Sequence, residues 1–436
     1  MMIIGIFLVA SYFISMPSIV FRGCRIPIRS QSNTAKVAGM KSLLTRPFSN
    51  SNASAPDRLH PAAMFGLFLW GLALTLVFIK AILEPGDHTV VDSYLLGADR
   101  WLDSVKLYSG PGGFIYTPTF ALLFVPFTYL SPLAADLLWR LLVIGLYLWG
   151  SVRLIKHYYG HSQRSLLNWL GVYSLVAVPI AFSGFRNGQM NVFLIAVMLL
   201  IACQIIERKW TSAALLLALT MSLKPTFAVF FLLVTSLFKP LWFRVPPLLL
   251  GFLALPILFG GLDYGMAQYH NFVEMADSAM DRGMFTPKWA SLFNISIQLT
   301  GYTVPEFHQT VAKLLLAVLT WIACAYAVIR HGTKNGLLYL LSLAVCYHLM
   351  FNPRSVNTDY ILLGTMIGFW FTAAIHHWQD KKLAWQTGLI AAGVLFALDI
   401  SRALVPDSSS WVNPTMALLF TILILSQLKN KRVLTP

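Results

Sequence analysis

The sequence predicts an all-α polytopic membrane protein with about twelve transmembrane helices, and three observations predict it. The 436 residues are 57% hydrophobic and 11% charged, with mean hydropathy +0.68, where soluble domains carry about 25% charged residues. Many apolar runs are long enough to cross a hydrocarbon core of roughly 30 Å as helices. Ten-residue segments of strand-type alternation are absent, which argues against an outer-membrane barrel. The net charge of +15 does not point to nucleic acid. Its basic residues form short clusters between apolar runs, as positive-inside topology and anionic lipid headgroups require.

In chain order, residues 1–61 form a basic N-terminal region. Residues 2–20 read as a signal anchor, followed by a Ser/Asn-rich basic stretch to Arg58. Either they make an extra crossing or the native start is Met40; cleavage after them would leave the basic stretch outside, against the positive-inside rule. Residues 62–428 form one transmembrane domain. Its spans are read at 62–83, 133–152, 165–182, 190–206, 211–223, 226–238, 245–260, 311–329, 335–351, 360–376, 384–400 and 412–428. The fifth and sixth are short and can also be read as a broken pair around Lys224-Pro225. Residues 429–436 are a basic cytoplasmic tail.

Sides follow from the basic residues. Arg58, Arg153, Lys156, Arg164, Arg208, Lys209, Lys239, Arg244, Arg330, Lys334, Lys381, Lys382 and Lys429 alternate onto one side, the cytoplasm, with both termini. The loops at 84–117, 186–189, 224, 261–310, 352–359 and 401–411 fall outside. The first long outer segment, 84–132, has Pro118, Pro126 and Pro132 around apolar stretches and is expected to hold amphipathic helices on the outer membrane surface.

The unusual polar residues gather in those outer interruptions. Asp92, in GDHTVVDSYLLGADRWL, has Asp87, Asp99 and Asp103 nearby. A carboxylate there can deprotonate an acceptor hydroxyl, or it simply solvates a loop. Arg186, Asn187 and Gln189 in FRNGQMN precede an apolar helix. A helix N-terminus and an arginine suit a phosphate; the competing reading is an interfacial turn with a snorkelling arginine. Lys224 either faces a cavity and an anion or sits at the interface; burial near mid-membrane costs on the order of 2.5–3.5 kcal/mol. Arg354, Asn357 and Tyr360 in FNPRSVNTDY could contact a phosphate or a polyol. Arg140, inside the second span, is expected to pair with Asp136 one turn earlier. Glu274, Asp277 and Asp281 share helical spacing and read as a solvated face, with a cation site in the loop 261–310 as the lesser alternative. The four cysteines form no CxxC, the histidines form no ligand set, and no DxD pair occurs, so neither a metal nor a cofactor is expected.

Taken in order, VVDSYLLGADRWLDSVKLY, FIYTPTFALLFVPFTYL, NGQMNVFLIAVMLL, SLKPTFAVFFLLV, SLFNIS and NPRSVNTDYILL resemble the integral-membrane GT-C glycosyltransferases. Within that class they resemble glycosyltransferase family 87, over about residues 60–375. The resemblance implies the GT-C architecture, a polyprenyl-phosphate sugar donor, and a glycolipid or glycan acceptor at the outer face of the inner membrane. It also implies a catalytic aspartate in the first outer loop, for which Asp92 is the match and Asp87 the alternative. Arg186, Lys224 and Arg354 become candidate donor-phosphate ligands. Asn187, Gln189, Asn191, Asn294, Ser296, Asn357 and Tyr360 become candidate sugar or acceptor contacts, with Asn357 standing where that family has an aromatic residue or histidine. The expected activity is an inverting transfer of mannose or a related sugar. The rival is a transporter or flippase of lipid-linked sugars, which the missing internal repeat and the one-sided polar groups disfavour.

Overall fold

The computed structural model describes residues 59–109, 113–159, 162–283, 290–352, 355–400, 404–405 and 408–429, side chains at 279–283 and 399–400 excepted. The expected N-terminal region to residue 58, Arg354, the side chain of Asp281 and the tail from 430 lie outside the described residues. Among those described, the chain is helical, and the one β contact is an isolated bridge between Ala290 and Ser355.

Proline sets many of the starts, because its missing N–H costs nothing in a first helical turn. Pro61 opens α1 (Pro61–Leu83), Pro118 opens α3 (Pro118–Thr128) and Pro132 opens α4 (Pro132–Tyr159). Between α1 and α3, α2 (Val91–Leu102) buries Val91, Tyr94, Ala98 and Trp101. That three-four-three spacing puts one apolar stripe inward. Ser162 caps α5 (Gln163–Arg186) by accepting from Ser165 N. Next come α6 (Met190–Ile206), α7 (Trp210–Leu223), a 3-10 turn at Pro225–Phe227, and α8 (Ala228–Leu237). α9 (Val245–Gly260), α10 (Leu262–Gly283) and α11 (Leu292–Thr300) follow. α12 (Glu306–Phe351) is two arms joined at Gly332, whose φ of 74° is not helical. A 3-10 turn at Asn357–Tyr360 leads into α13 (Ile361–Thr372), followed by α14 (Lys381–Leu395) and α15 (Ser409–Gln427).

Among the described residues, seven helices are long and apolar enough to cross a membrane, and four shorter apolar ones accompany them. Helices occupy each of the twelve segments read as spans. The predicted 311–329 and 335–351 are the two arms of α12, and in the short pair one helix ends at Leu223 and the next begins after the 3-10 turn at Pro225–Phe227. α6 is apolar on all sides and buried almost throughout, so it is the central helix. α1 crosses α5 closely: a Cβ on Gly66 would lie 1.8 Å from the carbonyl oxygen of Gly171, the close approach that small residues allow between membrane helices.

Hydrogen bonds sort the connections between the two ends of the bundle. At one end Arg153, His157 and Lys209 surround Glu207. Burial alone would push that carboxyl up, but the bonds from Lys209, Arg153 and His157 prevail and hold it at about 2. Tyr158 donates to Lys334 O, and Arg330 to Lys429 O at 3.1 Å, at that same end. At the other end Val90 N donates to Asn187 O at 3.1 Å, Lys224 reaches Asn191, and Asn191 reaches Asp359. The polar interruptions thus meet at one end and the basic ones at the other.

Candidate active site

Asp92 stands in the first turn of α2, directly after a turn tied down on both sides. Thr89 Oγ1 donates to Asp136 Oδ1 at 2.9 Å and accepts from Val91 N at 3.1 Å. Asp136 in turn pairs with Arg140 Nε at 2.9 Å, as its spacing predicts, with both side chains buried. The Asp92 carboxylate is exposed, and no hydrogen bond or ion pair engages it among the described residues. Partial desolvation and the Asp136 charge push its pKa above the ordinary value, with Arg140 opposing. A carboxylate kept more basic than usual, with its oxygens free, is suited to accepting a proton. Asp87 has the opposite setting. Lys80 pairs with it at 3.1 Å and His88 lies 3.6 Å away, and the Lys80 contact, despite some desolvation, holds its carboxyl low.

The turn after α5 needs glycine. Gly188 has φ +61°, and a Cβ there would stand 3.1 Å from Val91 Cγ2. Trp139 Nε1 donates to Gly188 O at 2.8 Å. The free N–H array expected at the start of α6 is partly used inside the protein: Met190 N donates to the Tyr94 hydroxyl at 3.1 Å and Val192 N to Gln189 O at 3.0 Å. Half-buried Arg186 donates to Asn187 Oδ1 at 3.3 Å.

Lys224 faces inward. α7 ends at Leu223, and Lys224 is extended before the 3-10 turn that Pro225 opens. The carbonyls orphaned by that helix end are taken up by Thr117, which donates to Leu223 O through its N–H and to Ser222 O through its hydroxyl. Lys224 Nζ donates to Asn191 Oδ1 at 2.7 Å and lies 5.8 Å from the centre of the Tyr116 ring. The Asn191 amide donates to Asp359 Oδ1, and Asp359 Oδ2 accepts from Val356 N at 3.0 Å. His348 lies within Coulombic reach of Lys224 and packs on Phe227 with ring centres 5.5 Å apart. Met198, Phe227, Phe230, Ala344 and Val345 line a small apolar cavity against His348.

Tyr94 and Tyr116 join the two halves. Their hydroxyls are 3.1 Å apart and their rings pack edge to face. Tyr94 turns into the core while Asp92, two residues earlier, faces out. The structure therefore brings Asp92, Asn187, Gln189, Asn191 and Lys224 to one end, around the start of α6. Asn294 and Ser296 sit on α11, which the Ala290–Ser355 bridge ties to the segment before Asp359. Asn357 is taken up by Leu398 O and Asn413, and Tyr360 is fully buried in the core. Asp359 and His348 were not singled out from the sequence. His348 is an ionisable residue embedded in an apolar run, which is itself the signal of a functional position, whereas Asp359 ends the polar stretch NPRSVNTD and carries no such signal. Among the described residues no three His, Cys, Asp or Glu side chains are grouped as a metal requires.

The sequence profile of Glycosyltransferase family 87 matches residues 114–353, a stretch that includes Tyr116, the turn at 186–191, Lys224 and His348. A 195-residue segment is 32% identical to the polyprenol-phosphate-mannose-dependent alpha-(1-2)-phosphatidylinositol mannoside mannosyltransferase of Mycobacterium tuberculosis. That match covers 38% of this chain and 44% of the relative.

Proposed function

The chain belongs to glycosyltransferase family 87, and from that premise we propose that it transfers mannose or a related sugar from a polyprenyl-phosphate donor to a glycolipid or glycan. The reaction runs at the outer face of the inner membrane, on a GT-C domain of twelve crossings with both termini in the cytoplasm. The relative's name, which specifies a polyprenol-phosphate-mannose donor and a phosphatidylinositol mannoside, supports the donor and acceptor classes. The observation that carries the site is the inward-facing Lys224 at a helix break, held by Asn191, which Asp359 holds in turn, and joined through Tyr116 and Tyr94 to the α2 that bears Asp92.

The donor's polyprenyl tail stays in the bilayer and its phosphate lies at Lys224. Asp92 takes the proton of the acceptor hydroxyl as that oxygen attacks the anomeric carbon. The bond from that carbon to the phosphate oxygen breaks, and the electron pair leaves on polyprenyl phosphate. Lys224 offsets the charge that develops there. One displacement inverts the anomeric configuration. Arg186 stands near enough in sequence to the Asn187–Asn191 turn to serve as a second cation, with Arg354 assigned the same role. Asn187, Gln189, Asn294 and Ser296 are the polar groups offered to sugar and acceptor.

Two variants test this with purified protein and polyprenyl-phosphate mannose. Asp92→Asn lowers turnover about 100-fold or more, the usual worth of a general base, while Asp87→Asn stays within about twofold because Asp87 is already neutralised by Lys80. Full activity in Asp92→Asn would remove Asp92 from the mechanism. Lys224→Gln lowers donor affinity and turnover together, by about tenfold or more, since a charge-assisted contact to phosphate contributes about 1.5–3 kcal/mol. Unchanged donor binding in that variant would place the phosphate elsewhere.

A further inference from the structure

Lys313 is a cation with no assigned task. It lies about two turns into the first arm of α12 and is half-buried. Its Nζ stands 5.7 Å from the centre of the Phe293 ring, and among the described residues it makes no hydrogen bond or ion pair. The carboxylate of Glu306, seven residues earlier, acts on it only at Coulombic range. The backbone places it at the end of the bundle that holds Asp92: Lys313 O accepts from the Tyr347 hydroxyl at 2.9 Å, one turn before α12 ends, and Phe293 packs on Phe351. The other described lysines and arginines at this end are all engaged. Lys80 and Lys106 pair with carboxylates. Arg140 pairs with Asp136, and Arg100, Arg186 and Lys224 donate to oxygen acceptors.

The surface around Lys313 adds a second observation. The apolar window of α12 is only 11% buried, and Leu314, Leu315, Val318, Leu319 and Ile322 are exposed on its first arm. That arm offers an apolar wall with a cation near its top that, among the described residues, has no ion-pair partner, set against an aromatic face. A lysine free to relax would extend its ammonium to water; this one rests on Phe293, where a cation gains from the ring face. An amphiphile with a negative headgroup and two acyl chains complements both features at once. Positive-inside topology gives no reason for a lysine at the end opposite the basic loops.

We propose that Lys313 and Phe293 form a headgroup site for an anionic phospholipid, whose phosphodiester pairs with the ammonium and whose acyl chains lie along the first arm of α12. The proposal does not depend on which sugar is transferred.

Native mass spectrometry of the full chain in detergent, titrated separately with phosphatidylglycerol and phosphatidylcholine, tests it. The wild type retains phosphatidylglycerol in preference. Lys313→Gln weakens the tightest phosphatidylglycerol binding about fivefold, the worth of one lysine toward an anionic lipid surface, and leaves phosphatidylcholine unchanged. Lys313→Arg keeps the preference. Equal retention of the two lipids by the wild type, or wild-type phosphatidylglycerol binding in Lys313→Gln, would overturn the proposal. So would displacement of the lipid by millimolar inorganic phosphate, which marks a site for a soluble anion. Where Lys313→Gln does not fold, Phe293→Leu keeps the cation and removes the ring. It is expected to lower phosphatidylglycerol retention about twofold, and unchanged retention there counts against the site.

Discussion

At Asp92 two influences oppose one another. Partial desolvation and the neighbouring Asp136 disfavour the ionised carboxylate, and Arg140 favours it, with the first pair prevailing. A base acts in its ionised form, so activity is present above its pKa and lost as pH falls through it. With Asp92 as the proposed base, the raised pKa is expected to put the acid limb of kcat/KM above the ordinary aspartate value of about 3.9. A pH–rate profile of the purified enzyme reads this directly, and an acid limb at or below that value would separate Asp92 from the proton transfer. The residue scale also shows where local spacing informs and where it does not. Asp136 and Arg140 are one helical turn apart and pair as their spacing requires. Asn191 and Asp359 meet across 168 positions, and no local pattern encodes that contact.

Elements were legible to the extent that their signals are local. The run 190–206 is uniformly apolar, and α6 occupies it; proline at Pro61, Pro118 and Pro132 marks the starts of α1, α3 and α4. Gly332 lies between two predicted spans and is the joint between the arms of α12. How the elements pack was not legible. The α1–α5 crossing depends on Gly66 facing Gly171 so closely that a methyl group at Gly66 would meet backbone, which cannot yield as a side chain can. Gly66→Ala therefore forces the helices apart and is expected to destabilise the fold by about 1–3 kcal/mol, the range for overpacked sites. Gly145→Ala, where an added Cβ meets nothing within 4 Å, is expected to be neutral or slightly stabilising because alanine favours the helix by about 1 kcal/mol. Thermal unfolding of the two variants in one detergent checks the contrast, and equal melting temperatures would remove the crossing as a tight contact.

Across the whole molecule, the polar interruptions occupy one end of the bundle and the basic connections the other. The proposed topology follows the positive-inside rule, which would put the Glu207 cluster in the cytoplasm and the Asp92 end outside. In cells expressing a cysteine-free background, a cysteine at Ser109 is expected to react with a membrane-impermeant maleimide. A cysteine at Lys209 is expected to react only after permeabilisation. The reverse pattern would invert the topology and put the transfer reaction on the cytoplasmic face. The two proposed tasks at the Asp92 end differ in their surroundings: Lys224 is held by Asn191 inside the bundle, whereas Lys313 stands on a helix arm with exposed apolar side chains.

The sequence by itself determined that this is a helical membrane protein, where most helices begin and end, which end of each carries basic residues, and which loop holds the candidate base. Those properties follow from composition, apolar run length and charge order, all of which are local or additive along the chain. Only the tertiary structure decided that Asp87 is tied to Lys80 while Asp92 is left open, and that Lys224 turns inward onto Asn191, which reaches Asp359 in turn. It also decided that Tyr360 belongs to the core and that the first N–H of α6 is taken by Tyr94. The physical reason is the same in each case. A buried polar group in a membrane bundle must find its partner on whatever helix packs against it, and that helix is set by packing across the whole chain.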